Sequence, residues 1–155
     1  MNNPVQKADK KNIAIILMIA IFFIADQAAK AGILRFLGNG RQPLLGDFFS
    51  LEFFPNRYIS FSLPIGGLGL EIAVALMIAA LSYFLIRARR QNYGRLAVWG
   101  LILLIAGAAG NLTDRLFRGY VIDYLYLQDF SVFNLADIYI SLGAILVLIG
   151  VCRKK

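Results

Sequence analysis

Four long apolar runs constrain this chain more than any other feature. They cover residues 13–37, 66–86, 96–112 and 133–151, the second interrupted only by Glu71. A helix needs roughly 20 apolar residues to cross the hydrocarbon of a bilayer. In that solvent each segment must satisfy its own backbone N–H and C=O groups, which favours a helix for every run. Hydrophobic residues make up 59% of the 155, above the roughly 45–50% apolar content of soluble domains, so a soluble globule of this size could not hide them. A basic start and apolar core could suggest a cleaved leader. The first run, however, continues past Asp26 and Lys30 to Leu37, and three more follow. The expectation is a membrane all-α protein: one domain, residues 1–155, with four transmembrane helices and outer segments at about 38–65 and 113–132.

Charge sets the expected orientation. The net charge of +7 might suggest nucleic acid, but the basic residues sit at the ends of the apolar runs and do not interleave with aromatics on one stripe. In a four-span chain both termini and the loop after the second span share a side. That side carries Lys7, Lys10, Lys11, Arg87, Arg89, Arg90, Arg95, Arg153, Lys154 and Lys155 against a lone acid, Asp9. The rest of the chain holds six basic and eight acidic residues. The positive-inside rule then places both termini in the cytoplasm and the acidic cluster outside. In the first outer segment Phe49, Leu51 and Phe53 alternate with Ser50 and Glu52, a strand period. With Phe48, Phe54, Tyr58 and Phe61 nearby, this predicts a small β-sheet or loop cradle at headgroup level between spans one and two.

The chain has no histidine. This removes Ser-His-Asp and Cys-His catalysis and the common zinc sites. The single cysteine, Cys152, cannot form an intramolecular disulfide and reads as a plain helix-end residue. Carboxylates gather instead: Asp114, Asp123, Asp129 and Asp137 fall within residues 107–137. Asp123 lies in the apolar run GYVIDYLYL, and Asp137 lies in FNLADIYI, one turn into the fourth span. Two carboxylates held close in a low dielectric cannot both ionise easily, which supplies an acid and a base at one pH. Paired acids in membrane helices also bind cations or relay protons. A small proton-coupled transporter using Glu71 or Asp137 is therefore the alternative, and a non-catalytic assembly subunit another. A Ser-Lys peptidase using Ser60 or Ser62 with Lys30 fits poorly, because Asp26, four residues before Lys30, would hold it charged.

Three further features accompany the pair. Asp26 and Lys30 share a helix face in the favourable acid-first order, either as an ion pair at the helix end or in support of a site. Gly107 and Gly110 allow a neighbouring helix to approach closely. Asn111, Asp114 and Arg115 follow, and Asp114 and Arg115 could simply cap the third helix. Glu71 reads as a snorkelling or loop-pairing residue near the interface.

GNLTDRLFRGYVIDYL followed by FNLADIYISLGA resembles two motif regions of bacterial lipoprotein signal peptidase, signal peptidase II. Asp26, Gln27 and Lys30 resemble that family's first motif, and FPNRYISFS its second. The resemblance touches all four parts of the chain in order. It implies a four-helix membrane aspartyl protease with a small outer sheet, cutting diacylglyceryl-modified prolipoproteins before the lipidated cysteine. It further implies Asp123 and Asp137 as the catalytic pair, braced by Asn134. Asn111, Asp114 and Arg115 would take structural and substrate-positioning roles, Asp26 and Lys30 would support the site, and Asn56 would hold the substrate backbone. The implied partners are a lipid-modified prolipoprotein and membrane lipids, with no nucleic acid, no cofactor and no metal, and the protein would act as a monomer. Its place would be the bacterial inner membrane, active site outward. Two departures stand out: Tyr58 occupies a position where the family has glycine, and Ala106-Gly107 replaces a Gly-Gly pair.

Overall fold

The third apolar run forms the axis of the molecule. The computed structural model describes residues 4–38, 40–57, 67–91 and 93–153, with side chains from Asn12 onward. Tyr58, Phe61, Ser60 and Ser62, which carried expectations above, lie outside the described residues. The helices are α1 (Pro4–Gly32), α2 (Leu68–Arg90), α3 (Arg95–Arg118) and α4 (Leu135–Cys152). Each is long and apolar enough to cross a membrane. A π-helical turn, Ile33–Leu37, prolongs α1. Over half of the apolar window of α3 (56%) is buried, against 11% for α1 and α2 and 17% for α4, so α3 is central and the others present most of their surface to lipid. Leu101, Ile102 and Ile105 of α3 join Leu85 and Ala88 of α2 in the main core, with Ile15, Met18 and Phe22 of α1 packed against it.

Lipid tails are as apolar as leucine, so apolar burial alone does not drive helices together in a bilayer; close backbone packing does. α3 and α4 meet along a seam of small residues spaced seven apart: Gly100 and Gly107 on α3, Ala136, Gly143 and Gly150 on α4. A Cβ on Gly143 would lie 2.7 Å from the Gly100 carbonyl oxygen, and one on Gly107 would lie 2.5 Å from that of Ala136. Gly150 faces the backbone of Ala97. Gly110, expected to admit a helix alongside Gly107, instead makes room for the Asp26 carboxylate, whose Oδ2 would sit 2.5 Å from an added Cβ.

The third helix does not end at 112 as expected. It continues to Arg118 and stops at Gly119, whose φ of 75° is the left-handed conformation that terminates helices. Asp114 and Arg115 are therefore helical residues, like Asn111 before them, rather than the start of an outer segment. Beyond Gly119 come β3 (Val121–Leu127) and β4 (Ser131–Phe133); the first outer segment supplies β1 (Arg41–Leu45) and β2 (Phe49–Asn56). The four strands form one antiparallel sheet in the order β1-β2-β3-β4. The small sheet is present and the alternation at Phe49–Phe53 does form a strand, but the expected placement between spans one and two accounts for only half of it. The central β2·β3 pair joins the two outer segments. On β3, Ile122 and Tyr124 pack against Ile33 at the end of α1.

Gly143→Leu should force α3 and α4 apart, at a cost of about 1–3 kcal/mol or more. Thermal unfolding of the solubilised protein should show a clear fall in Tm. Gly69→Ala, where an added Cβ meets nothing within 4 Å, should leave Tm almost unchanged. Equal behaviour of the two variants would mean the seam is not closely packed.

Candidate active site

The N-terminus of α4 leaves backbone N–H groups without helical partners, and the chain satisfies them with carboxylates and amides brought from elsewhere. Asn134 is the N-cap: its side chain accepts from the N–H of Asp137 at 3.0 Å. In return the Asn134 N–H donates to Oδ2 of Asp137 at 3.1 Å, closing a reciprocal capping box. Asp26, from α1, accepts from the Ala136 N–H at 3.1 Å. Asp137 is thus fixed on the first turn of α4, half-buried, where the positive end of the helix dipole faces it.

Asp123 arrives on β3 and is 3% exposed. Ile122 and Tyr124 pack against the end of α1, so the strand period turns Asp123 to the other face. Asn56 of β2 pairs with Val121, two residues from Asp123 and so on its face. It donates through Nδ2 to Oδ2 of Asp123 at 2.8 Å. Asn134 donates to Oδ1 of Asp123 at 2.7 Å. Asn134 therefore holds Asp123 with its side chain and Asp137 with its backbone. Burial pushes the Asp123 carboxyl up to about 6, helped by the charge on Asp137 and opposed by the amide donors of Asn56 and Asn134.

Behind this pair lies a fully buried charge cluster. Lys30 Nζ reaches Asp26 Oδ2 at 2.8 Å, Asp114 Oδ2 at 2.7 Å and Asn111 Oδ1 at 3.0 Å, with Lys30, Asp26 and Asp114 at 0% exposure. The three protons of an ammonium thus have three acceptors. Asn111 passes the arrangement forward: its Nδ2 donates to Oδ1 of Asp137 at 2.8 Å, and its Oδ1 also accepts from Asn134 at 3.2 Å. The ion pair of Asp26 and Lys30 is real, but it sits inside the bundle and not at an exposed helix end. Asp114 likewise does more than cap α3: its Oδ1 binds Arg118 at 2.6 Å, and its Oδ2 lies 3.4 Å from the Ile122 N–H of β3.

All nine residues expected at the site fall into this region. Seven of them, Asp26, Lys30, Asn56, Asn111, Asp114, Asp123 and Asn134, are joined to Asp137 through hydrogen bonds and ion pairs. Arg115 is half-buried on α3, directly after Asp114. Glu71 lies on the first turn of α2. Two members have no expected role at the site: Gln27, which the first-motif resemblance includes, and Arg118. Gln27 Nε2 lies 3.1–3.3 Å from Asp26, Asp114 and the Gly110 carbonyl, and Gln27 Oε1 accepts from Arg118 at 3.4 Å. The spacing of Asp114 and Arg118, four apart, carries the signal for the second. Among the described residues, no group of three or more acidic, histidine or cysteine side chains is arranged to hold a metal ion.

Lys30→Met should leave Asp26 and Asp114 buried with one counter-charge gone, a loss of about 3–5 kcal/mol. The expected result is a large drop in thermal stability, whereas Arg41→Met, which removes a half-exposed cation paired with Asp47 at 3.7 Å, should cost about 1 kcal/mol or less. Similar losses for both would contradict a structural role for the buried ammonium.

Known proteins resemble this chain in sequence and in fold. The sequence profile of signal peptidase (SPase) II matches residues 18–153. The lipoprotein signal peptidase of Burkholderia ambifaria is 37% identical over 145 residues, covering 90% of this chain and 86% of the relative. That of Caldicellulosiruptor bescii is 34% identical over 131 residues, covering 84% and 85%, and that of Clostridioides difficile is 34% identical over 143 residues, covering 88% and 93%. Two solved structures of a bacterial membrane enzyme superpose with TM-scores of 0.81 and 0.79 at 27% identity, each over 92% of this chain and over 92% and 94% of theirs. A profile match over most of the chain, with relatives above 30% identity along nearly the same length, means that the chain belongs to the signal peptidase II family.

Proposed function

We propose that this protein is a lipoprotein signal peptidase in which Asp123 and Asp137 activate water against a peptide bond. The observation that carries the reading is the grip of Asn134 on both carboxylates, 2.7 Å to Asp123 through its side chain and 3.1 Å to Asp137 through its backbone. The substrate is a diacylglyceryl-modified prolipoprotein, cut before the lipidated cysteine. Its signal peptide is an apolar segment able to lie within the bilayer, and its acyl chains stay in lipid, where each buried CH₂ is worth roughly 0.8 kcal/mol. The substrate approaches from the outer leaflet of the inner membrane, with the sheet at headgroup level and both termini in the cytoplasm.

The two carboxyls divide the work. Asp137, at the positive end of α4, acts as the anionic base and takes a proton from water as its oxygen adds to the scissile carbonyl carbon. Asp123, more deeply buried, holds the shared proton and gives it to the carbonyl oxygen. As the tetrahedral adduct collapses, one of its hydroxyl protons returns to Asp123 while the C=O re-forms, the C–N bond breaks, and the leaving nitrogen takes the proton that Asp137 received. Asn56 and Asn134 fix Asp123, Asn111 fixes Asp137, and Arg115 steadies the substrate backbone.

In liposomes containing a lipidated prolipoprotein, Asp123→Asn and Asp137→Asn should each reduce cleavage by about 10²–10⁴-fold while the protein remains folded. Near-full activity in either variant would remove that residue from the chemistry. The rate should also fall as pH rises through about 6, where Asp123 loses the shared proton. Asn56 donates to the Asp123 carboxylate and so favours its ionised form. Asn56→Ala should therefore move this limb to higher pH, and a limb that stays or moves down would contradict the assignment of the proton to Asp123.

A further inference from the structure

At the end of the bundle opposite the carboxylates, α1 and α2 both pack on α3 but hardly touch each other. A groove of about 740 Å³ opens between them, floored by Ile105 of α3 and walled by Ile15, Ile16, Ile19 and Leu85. Its mouth is cationic, with Arg89 and Arg90 at the rim. Arg89 donates to Oδ1 of Asn12, tying α2 to α1 across that mouth. A second groove of about 500 Å³, between α1 and α3, ends at the same Arg89 with Arg95 beside it. One guanidinium thus stands at the head of two apolar channels.

We propose that this groove binds an anionic phospholipid, with an acyl chain between α1 and α2 and the phosphate on Arg89 and Arg90. The walls are isoleucine and leucine, which exclude water and suit a hydrocarbon chain. The rim offers planar guanidinium donors, the side chains best shaped for phosphate oxygens. Basic pockets between membrane helices on the cytoplasmic side are where anionic headgroups bind. Charge complementarity decides among the possible occupants. A signal peptide begins with a basic segment, which the arginines would repel. A second copy of this chain would bring Lys7, Lys10 and Lys11 to the same end, again like charge against like. The anionic lipid alone matches both the apolar walls and the cationic rim. The site lies apart from the aspartates, so its occupancy can be read without measuring cleavage.

The test is native mass spectrometry of the full chain released from detergent after titration with dioleoyl phosphatidylglycerol or dioleoyl phosphatidylcholine, which share acyl chains and differ in headgroup charge. The parent should retain the glycerol lipid about tenfold better than the choline lipid, and R89Q/R90Q should lose that preference. Ile16→Trp keeps every arginine but fills the groove, and it should lower retention of both lipids. Arg153→Gln, which removes a cation from the end of α4 away from this groove, should change neither. Equal retention of the two lipids by the parent would overturn the proposal. So would a preference surviving in R89Q/R90Q, retention unaffected by Ile16→Trp, or an equal loss in Arg153→Gln, which would reveal only diffuse surface charge.

Discussion

Lys30 carries its charge to a point where no part of it meets solvent, and the sheet-bearing end of the bundle is organised around neutralising it. An ammonium desolvated to that degree costs several kcal/mol unless partners surround it. Asp26 comes from the same helix, whereas Asp114 and Asn111 come from α3. Those partners are themselves engaged: Asp26 satisfies the N-terminus of α4, Asp114 touches β3 and binds Arg118, and Asn111 supports Asp137. α1, α3, α4 and β3 therefore meet at a single polar knot inside an apolar protein. The knot sets the depth and rotation of α4, and with it the position of Asp137.

The sheet supplies the other half of the site. Asp123 sits on β3, yet one of its two amide donors sits on β2, in the separate segment between α1 and α2. Pairing of β2 with β3 is thus a condition for the geometry of the carboxylates and is not decoration at the membrane surface. Asn134 then links the sheet to the helices, since it reaches Asp123 on one side and caps α4 on the other. Small residues at the α3–α4 seam allow these short reaches by keeping the two backbones close.

Much of this was legible in the residues. Membrane helices announce themselves by length and composition, and the alternation at Phe49, Leu51 and Phe53 marked β2. The residues that converge in this network were named through the resemblance of their motifs to a known family; spacing alone would not have singled them out. β3 was not legible as a strand because Val121, Ile122, Asp123 and Tyr124 are all buried, and a strand covered on both faces loses its period of two. The end of α3 was misplaced because Asn111, Asp114 and Arg115 look like a polar exit from the membrane. They stay helical because Asn111 and Asp114 turn inward to Lys30. Spacing disclosed Asp26 as a partner of Lys30, but no local pattern could disclose Asp114, which lies on another helix. Gly110 looked like a helix-packing glycine; what it admits is a carboxylate.

On the proposed mechanism, Asp123 and Asp137 act as one unit because a single asparagine holds both. A double-mutant cycle of Asn134→Ala with Asp123→Asn, read as cleavage of a lipidated prolipoprotein in liposomes, tests it most directly. If Asn134 works through the pair, its substitution reduces cleavage sharply alone and adds almost nothing once Asp123 is already replaced. Losses that multiply in the double variant, or near-full activity for Asn134→Ala in a folded protein, would contradict the account.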